Sequence, residues 1–418
     1  MPHRFRGWPL VLALMVIVAL VVVWRSCRSS DGGPDRPPEG FTANGVALDS
    51  PDLDLELLEV RGKANPGFTD WACIFLCREK DGCRAETEVR ILYISEGTQQ
   101  ALVLNGHLDT VPPATGMIDP YLSRVSDGRL YGRGACDMKG AVGSMIYSLY
   151  LLRQSGVSFS GDLFLAFVIG EETGGAGTRH LVDSGFGTDF AVVGEPTELR
   201  ICTSHKGVCN LLVTFRGRAC HGSVPEQGTN AIIAASDFIQ RIKKELLPRL
   251  AERIQERVGA ATINVGVIGG GTKVNIVADS CALELDRRWV EGESMQTAVS
   301  EIEDIAEAVC EEDPSLRYEV QLMNSQNGYY GPLHVPDGHE VVGLVSAALG
   351  KIGKRPEIVG MQGWTDAATL YHAGIPAVLF GPGSLAQAHT GDEWVEVRQL
   401  IESVKGYIAI AAEICGGG

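Results

Sequence analysis

The chain has 418 residues, 45% of them hydrophobic and 21% charged, with eleven cysteines and a formal net charge of −16. That length accommodates two domains, and the composition is that of a globular protein. The acidic balance, with no basic stripe, RNA-binding aromatic motif or zinc-knuckle spacing, argues against a nucleic-acid partner, and no solenoid-type or propeller-type repeat is present.

The first residues are unlike the rest. Met1 to Gly7 is basic, and Trp8 to Trp24 is entirely apolar. As a helix this run would reach ~25 Å, nearly the thickness of a bilayer core. A cleaved secretory signal is the alternative, but its apolar stretch is ordinarily shorter and ends at small residues. Here the run ends in Trp24-Arg-Ser-Cys27-Arg28. The expectation is a basic N-terminus and single membrane anchor over residues 1–28, then a Gly/Pro/Ser/Asp-rich tether over 29–46. Arginines flank the span on both sides, so the charge bias barely discriminates its orientation. The catalytic part is expected on the extracytoplasmic side.

Beyond the tether, Thr69 to Lys80 reads as a helix carrying Cys73 and Cys77, which with Cys83 form the one cysteine cluster. Four-apart helical positions are neighbours but lack disulfide geometry, and no zinc-spaced C-x-x-C pair appears. Val89–Tyr93 and Gln99–Leu104 read as neighbouring strands, Lys139–Leu152 as a helix, Asp162–Ile169 as a buried strand, Gly177–Ser184 as a helix and Phe190–Val193 as a strand. Strands alternating with helices point to an α/β sheet with ligands at the strands' carboxyl ends.

The pattern then changes. Val208–Arg216 alternates as an antiparallel strand does, and Asn230–Leu247 is helical. Thr262–Ile268 is a strand, Lys273–Arg288 a strand pair around Ala278-Asp279, Ser294–Glu311 a helix and Arg317–Met323 a strand. This order suggests an inserted β-α-β-β-α-β, ferredoxin-like module. Helices over Glu340–Leu349 and Arg398–Ile414 and a short strand at Pro376–Phe380 return to the first domain. The expected division is a catalytic domain from 47–210 and 324–418, interrupted by an inserted domain at 211–323.

Five acidic and histidine motifs follow one another along the chain. They are Asn105-Gly-His107-Leu-Asp109, Gly132-Arg-Gly-Ala-Cys-Asp137-Met-Lys-Gly140, Gly170-Glu171-Glu172-Thr-Gly174, Gly194-Glu195-Pro196 and Gln387-Ala-His389. Each places a His, Asp or Glu at or near the end of a strand-like apolar run. Two histidines with several carboxylates suit a pair of borderline-hard divalent cations, which one Asp can bridge. A spare Glu beside a ligand can act as general base on water.

On these motifs the chain resembles the M20 metallopeptidases over about Asp49 to Ile414. Gly194-Glu-Pro-Thr197, Asp286-Arg-Arg288 and Gly381-Pro-Gly-Ser384 through His389 are most similar to the acetylornithine deacetylase and succinyl-diaminopimelate desuccinylase branch. The resemblance implies an α/β fold: a zinc-peptidase-like catalytic domain with a mixed sheet flanked by helices, and an inserted ferredoxin-like α+β dimerisation, or lid, domain. It implies two Zn2+ per subunit, with Co2+ able to substitute. His107 and Glu195 would hold one ion, Glu172 and His389 the other, and Asp137 would bridge. Asp109 would orient His107, and Glu171 would be the general base. His221, from a partner subunit of a homodimer, would hold the oxyanion. Asn275 and Arg288 match positions that touch the substrate, Arg288 through a fork suited to a carboxylate.

The activity implied is hydrolysis of the amide bond of N-acyl amino acids. A dipeptidase or carboxypeptidase on small peptides is the alternative, because one site of this kind cleaves whatever amide its pocket admits. A membrane-tethered binding protein without activity is a third reading, and the complete ligand set weighs against it. Simpler readings also exist residue by residue: a turn histidine at 221, a surface cation at 288, and small buried packing for Cys136. His180, His205, His334, His339 and His372 have no ligand partner at useful spacing and read as structural. Asp366, in Gly363-Trp-Thr-Asp-Ala367, matches a family motif with no role beyond pocket support.

Overall fold

A computed structural model describes residues 73–77, 88–94, 100–117, 119–323 and 330–416. The expected anchor and tether at 1–46 and Cys83 lie outside these residues. Among the described residues no helix is long and apolar enough to cross a membrane.

The chain begins with β1 (Cys73–Cys77) and β2 (Glu88–Ile94), paired antiparallel. The expected helix over Thr69–Lys80 is therefore not formed. Cys-Ile-Phe-Leu-Cys is a β-prone run, and pairing with β2 supplies the backbone partners a helix would have supplied itself. Cys73 and Cys77 stand about 13 Å apart along a strand at 3.3 Å per residue, too far for a disulfide. Next come β3 (Leu102–His107), a small hairpin of β4 (Arg124–Ser126) and β5 (Arg129–Tyr131), and α1 (Lys139–Ser155). Gly156, left-handed at φ 70°, ends α1. They are followed by β6 (Leu163–Val168), α2 (Ala176–Asp183), β7 (Phe190–Val193) and β8 (Ile201–His205). The sequence reading placed no strand at β8.

The insertion holds β9 (Gly207–Arg216), α3 (Ala231–Arg241), a π-helical turn at Ile242–Leu246 and α4 (Leu247–Glu252). A short hairpin of β10 (Ile254–Gln255) and β11 (Gly259–Ala260) leads to β12 (Thr262–Gly270), β13 (Ser280–Trp289), α5 (Met295–Glu312) and β14 (Arg317–Leu322). The chain returns through β15 (Leu333–His334), α6 (Glu340–Lys351), β16 (Ile358–Met361), α7 (Asp366–His372), β17 (Ala377–Leu379), β18 (Trp394–Glu396) and α8 (Val397–Ile414).

The large sheet runs β1-β2-β6-β3-β7-β17-β8-β15, with β16 also on β8. Its centre, β6-β3-β7-β17, is parallel, and the flanking pairs are antiparallel. β2 and β3 are not neighbours as expected, because β6 lies between them. All six β3 residues are buried, as a strand covered on both faces requires. Helix α1 packs on α8, α8 on α6, and α2 on α7.

The chain divides into two compact units, the second comprising Ser204–His334 and Gly360–Trp364. That is wider than the expected 211–323 at both ends and takes in Gly360–Trp364; at its start, β9 (Gly207–Arg216) belongs wholly to the inserted sheet. Its strands run β12-β13-β9-β14, all antiparallel, with α3 and α5 packed against them. In chain order this is β-α-β-β-α-β with the strands ordered 2-3-1-4, the ferredoxin-like arrangement. Lys273–Asp279 is a loop, not the first half of a strand pair; the Gly217 and Ala231 N–H groups donate to its Asp279 and Ala278 carbonyls, and its Val277 N–H donates to the Cys220 carbonyl. Asn230 and Ser294 cap α3 and α5, each side chain accepting a backbone N–H at 3.0 Å. The core of this unit gathers Val213, Phe215, Phe238, Leu283 and Ile302.

Candidate active site

Four neighbouring parallel strands deliver the motif residues at their carboxyl ends. His107 is the last residue of β3, and the turn after β6 carries Glu171 and Glu172. Glu195 follows β7, and the loop after β17 leads to His389. Asp137 comes from the turn that opens α1. An open parallel sheet places a site where its strands end and the chain crosses over. Gly381 is needed here: a Cβ would stand 2.2 Å from the Gly194 carbonyl oxygen, so only glycine lets the β17 loop lie against the backbone of Glu195.

The side chains converge. The His107 Nδ1–H donates to the Asp109 carbonyl at 3.0 Å, with the Asp109 carboxylate 3.6 Å away. A carbonyl only accepts, so the proton belongs on Nδ1 and Nε2 faces inward with a lone pair. That Nε2 lies 3.0 Å from Asp137 Oδ1 and 3.9 Å from Glu195 Oε1. On the other side, His389 Nε2 lies 3.3 Å from Asp137 Oδ2 and 3.0 Å from Glu172 Oε2. Asp137 thus turns one oxygen to each imidazole. Two acceptors 3.0 Å apart need a proton or a metal cation between them. The buried Glu195 Oε1 has no hydrogen-bond partner among the described residues. Nitrogen and carboxylate donors in this arrangement fit a pair of divalent cations sharing Asp137. One oxygen or nitrogen each from His107, Asp137 and Glu172 all lie within 4.8 Å of one another.

The charges agree with that fit. Burial lifts Glu195 well above the usual carboxylate range, and neighbouring Asp137 adds to this. Glu171 is lifted too, by burial above all; His107 opposes, while Glu195, Asp366 and Asp137 push the same way. Burial would raise Asp137, but its bonds to His107 and His389 win and hold it well below its ordinary value. Burial would depress His107, but Asp109 and Asp137 outweigh it and hold the imidazole up. Asp137 and Glu172 lift His389 to about 10. Without a cation, such a cluster retains protons instead.

The Asp109 carboxylate does more than face His107. Its oxygens accept the backbone N–H groups of Glu171, at 3.4 Å, and Glu172, at 3.1 Å. It therefore ties the Glu171-Glu172 turn to the end of β3. Glu172 Oε1 accepts the Val111 N–H at 3.2 Å. Asp366 is fully buried in α7, and burial lifts it to about 6 against the pull of the Thr178 hydroxyl and His107. Glu393, also buried, lies beneath the Asp137 turn and was missed from the sequence. The only signal was its place four residues after His389, and an Asp-Glu pair there looks like any solvated turn.

His221, Asn275 and Arg288 belong to the inserted unit. His221 and Asn275 are exposed and lie on adjoining loops, joined by the Gly222 N–H on the Asn275 carbonyl at 2.8 Å. The His221 ring nitrogen Nδ1 meets the Ser223 hydroxyl at 2.7 Å. Arg288 stands near the far end of β13 from these loops, its fork held by Asp286 at 2.7 and 3.0 Å. Within one chain the structure therefore groups His221 with Asn275 but not with Arg288. Cys136 is buried and donates to the Ser384 carbonyl at 3.3 Å. His339 caps α6.

This fold and site are those of a metal-dependent hydrolase. The model of peptidase family M20/M25/M40 matches residues 103–413, and the chain belongs to that family. It is 31% identical over 320 residues to an acetylornithine deacetylase of Myxococcus xanthus, covering 76% of this chain and 81% of that protein. It is likewise 31% identical over 345 residues to the N-formyl-4-amino-5-aminomethyl-2-methylpyrimidine deformylase of Bacillus subtilis, covering 74% and 79%. Among solved structures, aminopeptidase PepT from Bacillus cereus superposes with a TM-score of 0.65 at 24% identity, over 81% of this chain and 89% of that one.

Proposed function

We propose that the chain hydrolyses the amide bond of N-acyl amino acids, as an acetylornithine deacetylase does. The observation that supports this best is Asp137, whose two oxygens face His107 and His389 while Glu195 and Glu172 complete the two sides. We assign the cations as two zinc ions, with cobalt able to substitute; when bound they polarise an amide carbonyl and acidify water. His107, Asp137 and Glu195 would hold one, and His389, Asp137 and Glu172 the other. Glu171 takes the proton of the attacking water and returns it to the leaving amine nitrogen as the C–N bond breaks. Its burial raises its proton affinity, which suits a group that must both accept and donate near neutral pH. Asp109 holds the His107 tautomer and the turn bearing Glu171.

The same reading makes the inserted unit a dimerisation element. Its edge strand β12 exposes Val267 and Ile268, 53% and 51% accessible, along a ladder edge that no strand among the described residues pairs. His221 would complete a partner's site from its exposed loop, with Asn275 beside it; Arg288 would meet a substrate carboxylate. The N-terminal apolar run would anchor the enzyme to a membrane, which favours scavenging or peptide processing over biosynthesis. A panel of acetylornithine, other N-acyl amino acids and dipeptides, offered to zinc-loaded protein, tests the activity. Cleavage of dipeptides alone moves the assignment to a peptidase. No turnover of any member, with metal bound, leaves a binding protein.

A further inference from the structure

Arg133 and Glu393 join the two loops that carry Asp137 and His389. Both side chains are 1% exposed. Arg133 Nη1 donates to Glu393 Oε2 at 2.6 Å, and Nη2 donates to the carbonyl of Thr390, next to His389, at 3.2 Å. Glu393 Oε2 also accepts the Gly134 N–H at 3.0 Å. Oε1 accepts the N–H groups of Cys136, at 2.9 Å, and of Asp137 itself, at 3.0 Å. The Glu393 carbonyl takes the Gly132 N–H at 3.1 Å. One carboxylate thus gathers a guanidinium and three amides of the turn that presents Asp137. Burying an ionised pair is costly unless its bonds are made; here both Glu393 oxygens and both terminal Arg133 nitrogens are bonded, and Arg133 Nε alone of the pair has no partner among the described residues.

The two imidazoles depend on this clamp unequally. His107 is 1% exposed, part of a central strand, and held through Nδ1 by the Asp109 carbonyl. The His389 side chain is 53% exposed, on a loop, with backbone φ of 62°. Its Nε2 meets Asp137 Oδ2 at 3.3 Å and Glu172 Oε2 at 3.0 Å. The loop is tied down just after His389, at Thr390 and Glu393.

We propose that the Arg133–Glu393 pair is a positioning latch. It keeps His389 Nε2 in register with Asp137 Oδ2 and so sets the affinity for the cation on the His389–Glu172 side, while the His107 side is set by β3. The proposal rests on the two-cation reading above. Neither residue touches substrate or cation; they act through Asp137 and His389.

Metal-free wild type and Glu393→Gln protein, full chain, are titrated with zinc against a chromophoric chelator, with the melting temperature of each metal-free protein recorded. Gln is nearly isosteric but turns an N–H donor toward Arg133 or toward the turn amides. Wild type should bind two zinc ions per chain. The variant should keep one of the two affinities and bind the other ion about 10–100-fold more weakly, the usual cost of losing a group that orients a ligand. Its turnover should recover as zinc is raised, which damage to the fold would not allow. Arg133→Lys keeps the charge but cannot reach Glu393 and the Thr390 carbonyl together. It should weaken the same ion, and it serves as the test where Glu393→Gln does not fold. Wild type binding fewer than two ions defeats the two-cation reading. Wild type binding two ions, with the folded variant binding both as tightly or losing both equally, overturns the latch alone.

Discussion

Glu171→Gln separates proton transfer from metal binding. Gln fills the same buried space but cannot take a proton from water. Losing a positioned general base costs on the order of 10²–10⁴ in kcat, or about 2.7–5.4 kcal/mol at 1.36 kcal/mol per decade. Among the described residues the carboxylates facing the Nε2 atoms of His107 and His389 are those of Asp137, Glu172 and Glu195, not that of Glu171. Zinc content should therefore stay at the wild-type level. The cluster also fixes the sign of the stability change. Burial, Glu195, Asp366 and Asp137 all disfavour an ionised Glu171, so a neutral amide relieves repulsion. The metal-free variant should melt no lower than wild type. The assay is amine release from the best N-acyl amino acid under saturating substrate, with zinc measured on the same sample. Wild-type kcat, or loss of zinc from a folded variant, refutes the reasoning.

Asp109→Asn leaves one acceptor oxygen where the carboxylate served two backbone N–H groups and faced His107, so zinc affinity should fall about 10–100-fold, or about 1.4–2.8 kcal/mol, in a chelator competition. Metal-free protein should lose stability as pH rises. Glu171 and Glu195 are lifted above an ordinary value of 4.5, and His389 is lifted from 6.5 to about 10. Each folded-state pKa lies above its unfolded value, so the folded chain holds extra protons that it gives up through this window. Melts in chelator should therefore be lower near pH 9 than near pH 5, zinc should reverse the loss, and a flat profile would contradict the assigned charges. Mixing inactive Glu171→Gln and His221→Ala dimers should restore up to about one quarter of wild-type activity if His221 acts across subunits, since half the dimers are mixed and each holds one intact site; no recovery despite verified exchange places His221 elsewhere. A chain beginning at Val46 should keep kcat/KM, because every proposed site residue lies at or beyond His107, and an inactive but folded, zinc-loaded truncation would refute this.

What the sequence determined was local. Runs such as Leu163–Val168 and Phe190–Val193 are apolar throughout because their strands are covered on both faces, and they could be placed to within a residue. His107, Asp137, Glu171, Glu172, Glu195 and His389 stood out because charge at the end of such a run has no solvent reason to be there. The change to alternating strands after β8 marked the insertion for a similar reason, since one face of that sheet is exposed. What the sequence left open depended on partners far along the chain. Cys73–Cys77 is a strand only because β2 offers it a ladder, and β6 separates β2 from β3 by a crossover that no local pattern encodes. Glu393 looks like a surface acid until the fold brings amides from 256 to 259 residues away onto its carboxylate. Hydrogen bonds between distant loops leave no period in a sequence, whereas burial of a strand does, and that difference divides what could be read from what had to be seen.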